Sequence, residues 1–111
     1  MPRDYFVFFE DILEATHKIR KYTDGMSFQQ FCEDEMRIDA VLRNLEVIGE
    51  AAGNVSTEIR NTYPQIEWKK IVGLRNILIH EYFGVDLEIV WDIIENNLEK
   101  LKFEVEKTLI K

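Results

Sequence analysis

The sequence predicts an all-α fold, an antiparallel bundle of four to five helices in one domain spanning residues 1–111. Three observations predict it. Apolar residues recur every three or four positions over most of the chain, the spacing of helix faces buried against a core. Five glycines and two prolines leave little room for the turns a β-sheet needs. The length of 111 residues matches a single domain, long enough to bury a core without disulfide or metal staples.

Each element has its own signals. The first helix is expected from about Arg3 to Tyr22, where Phe6, Phe9, Leu13, Thr16 and Ile19 keep helical spacing and Glu10, Asp11, Glu14 and Lys18 fall elsewhere. Thr23-Asp24-Gly25 stops it, with Gly25 suited to a left-handed turn. Ser27 and Gln30 form a capping-box pattern that opens a short second helix anchored by Phe28 and Phe31. That helix either stops or merges into the third near Asp34. The third is expected from about Glu35 to Asn61, ending before Pro64, on the series Ile38, Val41, Leu42, Leu45, Ile48, Gly49, Ala52, Val55 and Ile59. Gly49 and Gly53 within it cost about 1 kcal/mol each against alanine, which points to close approach of a neighbouring helix or chain. The fourth helix starts near Glu67 or Trp68, carries Ile71, Leu74 and Leu78, and ends near His80, with a stop at Gly84. Asp86 caps the fifth and Val85 can staple onto Val90. Leu87, Val90, Trp91, Ile94, Leu98, Leu101 and Val105 then form one face almost to the C-terminus. Ile89, Ile93 and Phe103 widen that face and suggest a second packing partner. Short connections between long helices favour antiparallel neighbours.

Charge and residue usage narrow the function. The net charge is −7 and the pI near 4.8, a balance that as a whole disfavours nucleic-acid binding. The average hides an asymmetry: between Arg60 and His80 the chain carries Arg60, Lys69, Lys70 and Arg75 against Glu67 alone. Local field matters more than the total. No apolar run approaches the ~20 residues of a membrane span. The N-terminal Met-Pro-Arg-Asp predicts no signal peptide. One cysteine, Cys32, cannot pair within the chain and points to a cytoplasmic location. Its neighbours Glu33, Asp34 and Glu35 make it a poor nucleophile. Glu14-Ala-Thr-His17 matches the Glu-x-x-His of di-iron bundles, but a full site needs a second such pair, and His80 has Ile77 at that offset. No metal is therefore expected. Trp68 and Trp91 fall within apolar patterns and are expected as core anchors.

His80 is the leading chemical residue. It stands at an expected helix C-terminus in the run Arg75-Asn76-Ile77-Leu78-Ile79-His80-Glu81-Tyr82. On a continuous helix Asn76 and His80 share a face, whereas Arg75 and His80 are roughly 140° apart. Convergence of the two requires either that the helix unwinds at His80 or that a second copy completes the set. The chemistry such a set supports is phosphodiester transfer. A neutral imidazole takes a ribose 2′-hydroxyl proton, and a guanidinium grips the phosphate. The plainer reading of the spacing is a capping histidine and a snorkelling arginine.

The set Arg75, His80, Tyr82 resembles the signature of the HepT ribonuclease toxins of the HEPN superfamily, small helical RNA-cleaving domains. The resemblance extends along the chain. Arg37 to Ala52 is similar to the family's long central helix. Tyr63-Pro64, Trp68, Ile71 and Gly73-Leu-Arg-Asn76 are similar to its approach to the site, and Val85-Asp86 with Val90-Trp91 to the segment beyond the site. The resemblance implies a homodimer with the motif at or beside the interface. It implies metal-independent, cofactor-free RNA cleavage, with Arg75 and His80 catalytic and Asn76 supporting. It also implies a partner, an MntA-like nucleotidyltransferase antitoxin that transfers AMP from ATP onto Tyr82. Glu67 departs from the pattern, standing where many relatives have proline, and should affect only the helix start. The alternative function is a non-catalytic helical module that recruits a nucleotidyltransferase or a nucleotide, favoured by the apolar excess of the fifth helix and the acidic exterior. A plain structural dimer leaves the Arg75–Tyr82 segment unexplained.

Overall fold

Helical segments succeed one another in the expected order. The computed structural model describes residues 4–80 and 86–109, with side chains over 5–74 and 86–109. The elements are α1 (Asp4–Thr23), α2 (Phe28–Cys32), α3 (Glu35–Gly53), α4 (Thr57–Thr62), α5 (Trp68–His80), α6 (Leu87–Asp92), a π-helical turn (Ile93–Asn97) and α7 (Leu98–Leu109). Since α6, the π turn and α7 are continuous, the described residues form six rods and no strand. That corrects the expected four to five helices.

The added rod comes from the third helix, expected to reach Asn61. It stops at Gly53, and the Asn54 N–H donates to the Ala51 and Ala52 carbonyls. Ser56 then starts α4, its hydroxyl accepting from the Ile59 N–H at 3.3 Å. Arg60 fixes the corner. Its Nε donates to Val55 O at 3.0 Å, and its Nη2 to Ala52 O at 3.0 Å and Gly53 O at 3.3 Å. The cation thus adds donors to carbonyls at the end of α3, where Ala52 O also accepts from Val55 N at 3.2 Å. Apolar spacing runs through the break because Val55 is buried and Ile59 packs on the core. Gly53 simply ends α3: a β-carbon there would meet nothing within 4 Å among the described residues, so no neighbour requires the glycine.

Other boundaries reflect local chemistry. Gly25 takes φ +75° after α1, the left-handed turn its position needs. The capping box forms, with Gln30 N donating to Ser27 Oγ at 3.1 Å and Ser27 N to Gln30 Oε1 at 2.9 Å. The Asp34 carboxylate accepts from Arg37 N at 3.1 Å and caps α3, so α2 and α3 stay separate. Asp86 caps α6, accepting from Glu88 N at 2.9 Å. Gly84 and Val85 lie outside the described residues.

The core lies where α3 packs on α1 and α5, with α7 along α1. Phe9, Ile12, Ile19, Phe31, Leu45, Ile48 and Ile94 are fully buried. Phe9 sits at its aromatic centre, with ring centroids 5.2 Å from Tyr5, 5.7 Å from Tyr63 and 5.8 Å from Trp68. Trp68 is the expected core anchor. Trp91 is only half-buried, resting on Phe28 and Phe31. Truncating Phe9 to alanine removes one wall from three other rings. It should cost about 3–5 kcal/mol, read as a lowered urea midpoint. A loss below about 1 kcal/mol would contradict this packing.

Ile89 and Phe103 stand about half exposed, as the widened apolar face implied, while Ile93 packs on the core. No group of three potential metal ligands occurs among the described residues. No described helix is long and apolar enough to cross a membrane.

Candidate active site

The position of α5 is set at its first turn. Tyr63 O accepts from Trp68 Nε1 at 3.0 Å and from Ile66 N at 3.2 Å, so the turn around Pro64 is tied to the indole that opens the helix. Glu67 immediately precedes α5, and its carbonyl accepts from Ile71 N at 3.1 Å. Its carboxylate lies 3.8 Å from Lys70 Nζ and 4.0 Å from Lys100 Nζ. A negative charge suits a helix N-terminus, so Glu67 is compatible with the start of α5. Trp68 and Ile71 are buried, and Val72 and Leu74 are half-buried against the core. These residues anchor the first half of α5.

Arg75, Asn76 and His80 all belong to α5, whose last residue is His80. Their side chains lie outside the described residues, as does Tyr82 entirely. The backbone still fixes their register. The helix continues through His80, so unwinding before that residue does not bring Arg75 to it. Asn76 and His80, one turn apart, occupy one face; Arg75 is roughly 140° from His80 around the axis.

Two further stripes of α5 become visible with the helix in place. Glu67, Lys70, Ile71 and Leu74 line a cleft of about 270 Å³ closed on the other side by the π turn and α7. Ile93, Leu98 and Leu101 complete its apolar floor, and Asp92, Asn97 and Lys100 stand on its rim. On a different side, Lys69 and Gly73 fall in line with Asn76 and His80, at spacings of four, three and four. Lys69 is exposed. Charge counting had grouped it with Arg60 and Lys70, and the structure separates the three. Arg60 caps α3 and lies 5.9 Å from the Trp68 ring centroid, and Lys70 pairs with Glu67. Lys69 makes no ion pair among the described residues. The helical period of α5 carries the signal that singles it out.

The family model described as "Ribonuclease HepT-like" matches residues 12–108. A protein of Methanocaldococcus jannaschii named "Putative RNase MJ1380" is 41% identical over 104 residues, spanning 94% of this chain and 95% of its own. A second from the same organism, "Putative RNase MJ0127", is 43% identical over 110 residues, spanning 98% and 91%. "Probable ribonuclease HepT" of Thermococcus cleftensis is 36% identical over 107 residues, spanning 96% and 97%. No solved structure matches the chain.

Proposed function

Because the chain belongs to the HepT-like ribonuclease family, we propose that it is the toxin of a type II HEPN/nucleotidyltransferase toxin–antitoxin pair, a metal-independent endoribonuclease acting in the cytoplasm. One observation carries the reading. The matched region, residues 12–108, contains the whole Arg75–His80–Tyr82 set, and α5 runs unbroken to the histidine of that set.

The chemistry rests on the residue types. The neutral imidazole of His80 takes the proton of a ribose 2′-hydroxyl. The resulting oxygen attacks the adjacent phosphorus, the bond from phosphorus to the 5′-oxygen breaks, and that oxygen leaves protonated. The products are a 2′,3′-cyclic phosphate and a 5′-hydroxyl end. Arg75 grips the phosphate and offsets the negative charge that grows on it. Asn76, one turn before His80 on the same face, orients the imidazole or the phosphate. The angular offset between Arg75 and His80 on one helix supports a homodimer, in which each cleavage site combines groups from two copies.

Control falls to the tyrosine. A cognate MntA-like nucleotidyltransferase transfers AMP from ATP to the Tyr82 hydroxyl, whose oxygen bonds the α-phosphorus while pyrophosphate leaves. An anionic adduct two residues from His80 occupies the phosphate position and repels RNA. Purified without its partner, the protein should cleave single-stranded RNA as fast in EDTA as without it. After co-expression with the partner, its intact mass should rise by whole AMP units and cleavage should cease. Loss of activity in EDTA would overturn the metal-free mechanism. Partner capture with no cleavage by the unmodified protein would favour the non-catalytic module, which the exposed Ile89 and Phe103 would suit.

A further inference from the structure

The line of Lys69, Gly73, Asn76 and His80 on α5 contains a feature that the described residues do not explain. Gly73 lies in the interior of a 13-residue helix, where glycine is destabilising against alanine. A β-carbon at this position would meet no heavy atom within 4 Å among the described residues. Unlike Gly53, it does not end its helix. No contact among the described residues requires a glycine there, which leaves room for a group that approaches this face. One turn back, Lys69 is exposed and free of ion pairs among the described residues. The line itself has no apolar member. A cation, a gap and two polar positions instead fit a polyanion lying close along the helix.

We propose that this face of α5 is the track on which the RNA strand lies. Lys69 holds a phosphate away from the cleaved one, and Gly73 leaves room for the strand against the helix backbone. The eleven steps from Lys69 to His80 span about 16 Å, the reach of a few nucleotides. The proposal rests on the ribonuclease reading above and names the surface through which that activity grips its substrate.

The test separates binding from cleavage by using a 12-nucleotide single-stranded RNA fully 2′-O-methylated, which cannot be cut by 2′-hydroxyl attack. Fluorescence anisotropy gives its Kd as a function of salt. Lys69→Gln should raise Kd about fivefold at about 0.1 M salt and lower the slope of log Kd against log salt by about one. Lys18→Gln on α1, the same loss of charge, should leave both close to wild type. Gly73→Ala should raise Tm by about 3–6 °C through helix propensity and still weaken binding; Gly73→Leu should weaken it further. Wild-type affinity and slope in both Lys69→Gln and Gly73→Ala would overturn the proposal, as would failure of the wild type to bind this RNA. If Gly73→Ala instead halves the solution mass of a dimer, the face seats a second copy and the proposal is also wrong. A wild type that binds with the expected salt slope but never cleaves natural RNA would refute the ribonuclease reading and leave the track in place.

Discussion

His80→Ala should lower RNA cleavage by about 10²–10⁴-fold, the usual contribution of a positioned general base. Growth arrest on expression should disappear with it. The effect is expected on turnover, since in the proposed mechanism the imidazole acts on the proton in flight and the phosphate is gripped elsewhere. Binding of a 2′-O-methylated strand should change far less than cleavage. The helix itself should survive, because what seats α5 lies upstream: the Trp68 indole bonded to Tyr63 O, the buried Ile71 and the half-buried Leu74. Circular dichroism and Tm therefore serve as the control for folding. Cleavage within about threefold of wild type in a folded His80→Ala protein would remove the assigned base, and with it the mechanism.

Interactions confined to a few residues were legible in the sequence. Ser27 with Gln30, Asp86 and Gly25 each act within about three residues, and each ends or begins a helix as read, whereas the Asp34 cap that separates α2 from α3 was left open. The break at 54–56 was not legible, because the apolar period that marks the core passes straight through Val55 and Ile59. What stabilises that corner is a guanidinium reaching eight residues back, from Arg60 to Ala52, and spacing alone does not reveal such a bond. The π turn is hidden for a related reason. One residue inserted into a helix shifts the face slightly, and Ile94 and Leu98 still reach the core. At the site the motif was readable as residue types at a spacing, and its place at the end of α5 was expected. The distinct fates of Arg60, Lys69 and Lys70 were not. A charge count treats them alike, whereas the fold engages two and leaves the third exposed on the face that Asn76 and His80 share.

The register of α5 makes a stronger claim than the motif does, and mixed oligomers can decide it. Arg75 and His80 are roughly 140° apart around one helix. If each cleavage site takes its arginine from one copy and its histidine from the other, Arg75→Ala and His80→Ala proteins should each be inactive alone. Mixed by unfolding and refolding together in equal amounts, they should recover about a quarter of wild-type cleavage. Half of the dimers are then mixed, and in each mixed dimer one of two sites holds both intact side chains while the other holds neither. If both groups of a site come from the same copy, every site in every dimer lacks one of them and mixing recovers nothing. Recovery should track the binomial in the mixing ratio, peaking at equal amounts, and should vanish when the two proteins are mixed without unfolding under conditions where subunits do not exchange. A flat, inactive profile across all ratios, with mixed dimers confirmed by mass, would place the whole reaction within one subunit. Tight pairing of Arg75 with His80 would then require a rearrangement at the end of α5 itself.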